Sequence, residues 1–143
     1  MSSDKETKVS AVMIIEVIGR PPEHLTETLE GIVKQIGEEK GVEVTNKKIN
    51  EPVLMKDQED FYMSFVEVEV EVDEILYLSM LVFKYMPAHI EIIHPEKIVL
   101  TNNGMNEVLN EITRRLHGYD ELAKILQMEN AKMQRKVKEL EGK

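Results

Sequence analysis

The densest run of reactive side chains in this protein is His89-Ile90-Glu91-Ile92-Ile93-His94-Pro95-Glu96, with two imidazoles and two carboxylates in eight residues. An imidazole beside a carboxylate can move protons in acid–base chemistry. On a strand, simple alternation puts His89 and Glu91 on one face and turns His94 to the other. Glu16 and Glu69 join His89 and Glu91 as candidates for a divalent-cation site, since carboxylates with one imidazole suit such an ion. That site requires Glu16 and Glu69 to be neighbours on adjacent strands. Alternating Val-Glu strands, however, are ordinarily the half-solvated strands of a sheet packed on one side. No cofactor and no metal are therefore expected.

Other chemistries lack their residues. The chain has no cysteine, which removes disulfides, thiolate zinc and a Cys nucleophile. Gly19-Arg20-Pro21-Pro22 lacks the glycine spacing of a phosphate loop, and its prolines remove amide donors. No Ser or Thr stands in a nucleophile-elbow context. His117, beside Arg114 and Arg115, reads as a charge near a helix C-terminus at Gly118. The expectation is a protein that is not an enzyme.

The elements that must position these side chains follow from periodicity. Val9 to Ile18, rich in Val and Ile, reads as a strand. Pro21 and Pro22 suit the first turn of a helix with an apolar face of Leu25, Leu29, Ile32, Val33 and Ile36, ended by Gly41. Val42 to about Met55 reads as an irregular strand, marked as an edge by Pro52. From Phe65 to Asp73, Val66, Val68, Val70 and Val72 occupy one face and Glu67, Glu69, Glu71 and Asp73 the other. Asp73 is placed to cap a helix from Glu74 to Met86, stopped by Pro87. This helix is apolar nearly all round, so the tail or a partner chain must cover what a sheet leaves bare. A strand from His89 to Ile93 and a short extended piece over 97–100 complete the body.

The order β-α-β-β-α-β is an α+β, ferredoxin-like plan with the first and third strands central. Over residues 9–100 it resembles, in topology, small-molecule-sensing ACT-like domains and RNA-binding RRM domains. The first resemblance implies a metabolite site at a dimer interface, the second base stacking on the central strands. Here the outward positions are Glu16, Glu67, Glu69 and Glu71, whose carboxylates repel a phosphate backbone, so the sheet is not an RNA platform.

The tail carries the strongest pattern. Leu109, Leu116, Ala123, Asn130 and Val137 interleave at 3-4 spacing with Ile112, Tyr119, Leu126, Met133 and Leu140. These are the a and d positions of five heptads, which need a second helix to bury them. Leu109, Ile112, Leu116, Leu126, Asn130, Met133, Val137 and Leu140 are the expected dimerisation residues. Asn130 at an a position favours a parallel, in-register pair. In that pair Arg115 meets Asp120, Lys136 meets Glu141 and Glu129 faces Gln134. Gly118 costs about 1 kcal/mol against Ala in a helix, so a bend or break is expected at His117-Gly118, with Asp120 capping a fresh helix. Met128 and Met133 read as seam or packing residues. The competing arrangement folds the tail back on its own body.

Net charge is −9, unevenly spread. Residues 111–143 hold eight Lys/Arg against six Asp/Glu, and the preceding 110 hold ten against twenty-one, giving +2 and −11. An acidic body does not grip nucleic acid; phosphate or an acidic partner would be met by Lys132, Arg135, Lys136 and Lys138 of the tail, if at all. No run of about 18 apolar residues and no signal peptide is present, so a cytoplasmic protein without membrane contact is expected. The domain plan is a disordered N-terminus over 1–8, an α+β domain over 9–101 and a helical tail over 102–143. The leading expectation is a homodimeric adaptor or regulatory module acting through protein–protein interaction. The alternatives are a ribosome- or ribonucleoprotein-associated factor bridging particles as a dimer, and an ACT-like small-molecule sensor.

Overall fold

The computed structural model describes residues 8–57 and 59–142; the expected disordered segment 1–8 lies outside them apart from Lys8. The chain is α+β. Its elements are β1 (Val9–Gly19), α1 (Pro22–Gly37), β2 (Val42–Ile49), β3 (Val53–Leu54), β4 (Tyr62–Val72), α2 (Ile75–Tyr85), β5 (His89–His94) and α3 (Asn102–Glu141). The five strands form one antiparallel sheet in the order β2-β4-β1-β5, with the short β3 also paired to β4.

Alternation decides which face is buried. Val66, Val68, Val70 and Val72 of β4 have no exposed surface, and Val9, Ala11, Met13 and Ile15 of β1 lie beside them, almost fully buried. Leu29, Val33 and Ile36 of α1 and Leu78 and Leu81 of α2 close the same cluster. Each such Val, Leu, Ile or Met side chain contributes about 1.5–3 kcal/mol by leaving water, so this face holds the fold together. The other face keeps Glu67, Glu69 and Glu71 partly solvated.

Several local expectations are corrected. The irregular second strand is two strands, because Pro52 has no amide hydrogen to give the ladder and falls between β2 and β3. The first helix ends at Gly37, and Gly41 instead turns the chain into β2 at φ +74°. Asp73 does not cap α2; Glu74 holds that position without a side-chain bond, while the Asp73 amide donates to the Gly41 carbonyl. Residues 97–100 form no strand; Ile98 packs on the core and Val99 is exposed. The break at His117-Gly118 is absent. One helix runs from Asn102 to Glu141, capped by the Thr101 hydroxyl accepting from the Gly104 amide at 3.0 Å. A penalty near 1 kcal/mol is small beside hydrogen bonds that continue on both sides. His117 is therefore mid-helix, not near a C-terminus, and Asp120 pairs with Lys124 at 3.1 Å instead of capping.

Candidate functional site

The sheet does not assemble the expected acid–base or cation group. Glu16 pairs with Phe65, whereas Glu69 pairs with Val12, four residues along β1. At about 3.3 Å per residue this separates the two carboxylates by about 13 Å along the strand. Glu91 lies across Val12 from Glu69, and His89 across Ile14 from Glu67. His89 and Glu91 do approach, Nε2 to Oε1 3.8 Å, but both are mostly exposed. Among the described residues no three His, Asp or Glu side chains converge on a possible ion. The parity of β5 also departs from simple alternation. A register shift between Ser10 and Ala11 pairs Ala11 with Ile92 but Ser10 with His94. The extra residue, Ile93, returns His94 to the face of Glu91, because directly paired residues share a face.

The tail helix concentrates the unusual surface. Its first half packs on α2, running in the same direction. Gly104 lines a cleft with Ile75 and Leu76, and fifteen residues later the Tyr119 hydroxyl donates to the Phe83 carbonyl at 3.1 Å. The Tyr119 and Phe83 rings lie 6.3 Å apart, tilted by 39°. Val108, Ile112 and Arg115 are half-buried on this stripe, so the tail covers the side of α2 that the sheet leaves bare. Glu111 is the one buried charged residue among those described. Burial pushes its carboxyl up, but hydrogen bonds from Arg114 (2.6 Å) and Arg115 (2.9 Å) outweigh this and hold it below the ordinary carboxylate range.

This docking alters the seam. Ile112 and Tyr119 turn toward α2, while Leu109 and Leu116 stay about half exposed. Arg115 and Asp120, expected to meet across a dimer, are each engaged within the chain, by Glu111 and Lys124. Beyond Tyr119 the pattern is free: every residue from Asp120 to Gly142 is exposed. The 22 helical residues from Asp120 to Glu141 extend about 33 Å. Leu126, Met133, Val137 and Leu140 are exposed by 56%, 67%, 52% and 66%. Lys132, Arg135, Lys136 and Lys138 are exposed, with no ion-pair partner among the described residues. At 100° per residue, Lys132, Arg135 and Lys138 fall away from the a/d stripe and Lys136 flanks it.

One cluster has no local signal in the sequence. Glu39 accepts from Lys84 Nζ at 2.7 Å and from the Tyr85 hydroxyl at 2.5 Å. These bonds hold Glu39 below the ordinary carboxylate range; burial first, then the Glu39 bond, push the Tyr85 hydroxyl up. The partners are separated by more than forty residues, so no spacing rule links them.

No helix among the described residues is long and apolar enough to cross a membrane. Residues 10–143 match the MJ0538 family, a span that takes in the sheet, both body helices and the tail. No curated protein and no solved structure matches the chain.

Proposed function

The chain belongs to the MJ0538 family, and we propose that it is a non-catalytic, cytoplasmic homodimer, an adaptor or regulatory module acting through protein–protein contacts. The body is read as ferredoxin-like, which the order β2-β4-β1-β5 supports when β2 and β3 count as one interrupted strand. Two copies join through a parallel coiled coil limited to the stretch from Ala123 to Leu140. The observation that carries this reading is the bare apolar stripe of Leu126, Met133, Val137 and Leu140 on a helix that has left its own body. A helix extension that shows its apolar stripe to water gains from burying that stripe against a second helix. Burying these four side chains per copy stabilises a dimer, and the loss of translational and rotational freedom on association offsets part of that gain. Lys136 and Glu141 remain available for the one attractive g–e′ pair that docking has not used.

Light scattering on a size-exclusion column tests this directly. Wild type should elute at twice the chain mass at tens of micromolar, and Leu126→Asp/Val137→Asp at the chain mass with the sheet signal intact. A monomeric wild type at those concentrations overturns the reading. Asn130→Leu should stabilise the assembly while loosening its oligomeric state; a clean, equally oriented dimer would show that Asn130 does not set register or orientation.

Lys132, Arg135, Lys136 and Lys138, which have no ion-pair partner among the described residues, favour a second reading, a ribonucleoprotein-associated factor. Gradient sedimentation of tagged protein in native lysate, beside a nuclease-treated control, separates the two. Co-migration with ribosomal particles that salt disperses supports this second reading; migration at the size of a small dimer supports the first.

A further inference from the structure

Where the tail meets the body, three elements enclose a cleft of about 160 Å³ lined by Glu39, Lys40, Val42, Tyr77, Met80, Leu81, Lys84 and Arg115. Its floor exists because residue 41 is glycine. At φ +74° a Cβ there would stand 2.5 Å from the Tyr77 ring, so only glycine lets that ring lie against the chain. Val42, Met80 and the buried Leu81 complete an apolar bed. Around it stand three cations and one carboxylate. Glu39 is already engaged by Lys84 and Tyr85. Arg115 is anchored through Nε to Glu111, with its side chain 29% exposed. Lys40 has no ion-pair partner among the described residues.

Lys84 is matched by Glu39 and Arg115 shares Glu111 with Arg114, so Lys40 and the terminal nitrogens of Arg115 are the positive groups left to meet an anion over the apolar bed. We infer that this junction binds a small organic carboxylate with a compact apolar or aromatic body, its carboxylate held between Lys40 and the terminal nitrogens of Arg115 and its apolar part on Tyr77 and Met80. The volume lies below the usual range of about 300–1,000 Å³ for ligand pockets, which limits the occupant to roughly one ring. Because the α1–β2 turn, α2 and α3 each contribute, the ligand fastens the tail to the body. The site is built within one chain, so it stands or falls separately from self-association.

Benzoate is the probe, with benzyl alcohol as its neutral counterpart and inorganic phosphate as an anion without an apolar body, all at matched ionic strength. The full chain, labelled with ¹⁵N, is titrated to millimolar concentrations while its melting temperature is followed. Benzoate should move the amides of Lys40, Tyr77, Met80 and Arg115 and raise the melting temperature, because it binds only the folded state. Lys40→Ala, at an exposed position that touches no structural pair, should weaken benzoate about two- to fivefold, the size of one exposed charge contact. No shift at these amides with benzoate, an equal response to benzyl alcohol, or an equal response to phosphate each overturns the assignment. So does unchanged benzoate affinity in a folded Lys40→Ala protein.

Discussion

The two halves of α3 share one sequence rhythm and meet opposite surroundings. From Asn102 to Tyr119 the helix gives its stripe to α2, buries Glu111 under two arginines and ends its docking at the Phe83 carbonyl. From Asp120 to Glu141 the same 3-4 spacing faces only solvent within the chain. A heptad pattern thus records a need for burial without recording which surface satisfies it. Docking also takes donors from an interface. Arg115 gives its Nε–H to Glu111 within the chain, which leaves only its terminal nitrogens for any further acceptor.

The largest expected effect lies under the docked half. Leu81→Ala removes a side chain only 2% exposed between the sheet and the tail, and should cost about 2–5 kcal/mol in urea unfolding. That loss should not depend on protein concentration. Leu126→Ala, in the free half, should instead lower the melting temperature only where copies associate. Equal, concentration-independent losses at both positions would erase the distinction between the halves.

Glu111→Gln should cost about 1–2 kcal/mol. This is less than the 3–5 kcal/mol typical of breaking a fully buried pair, because Arg114 is 64% exposed and can resolvate. The same carboxyl fixes a pH dependence. Its folded-state pKa lies below the ordinary value of 4.5, so the unfolded chain takes up the proton first as pH falls. The stabilisation is complete above about 4.5 and is lost as pH falls through the folded-state value. Glu39 acts in the same direction through Lys84 and Tyr85. In urea titrations between pH 7 and 3, Glu111→Gln should flatten this acid-side decline; an unchanged decline assigns it to other carboxylates.

Gly118→Ala should stabilise the helix by about 1 kcal/mol, since a Cβ at this position meets nothing within 4 Å. Circular dichroism melts check it, and a loss of stability would point to a required bend. The smallest effect is expected at the far end. Lys136→Glu should weaken a parallel pair by a few tenths of a kcal/mol, a difference that added salt removes; no change in low-salt equilibrium sedimentation would favour antiparallel pairing.

Local patterning specifies most of the elements and the faces they bury. Val66, Val68, Val70 and Val72 alternating with glutamates specify a strand with one buried face, and Leu25, Leu29, Val33 and Ile36 specify the buried side of α1. The rhythm from Leu109 to Leu140 likewise announced a helix with a stripe to bury. These are local signals, because a side chain's direction repeats every 2 or 3.6 residues whatever lies opposite. Tertiary structure decided what each face meets. The register of β1 against β4 put Glu16 beside Phe65 and away from Glu69, and one extra residue in β5 returned His94 to the face of Glu91. Packing on α2 kept Arg115 within the chain, and an unbroken run of helix carried Gly118 where local propensity alone argued for a break. The cleft of Lys40, Tyr77 and Arg115 belongs to this second class too. It gathers residues from three distant segments, and long-range pairing leaves no periodic trace in the chain.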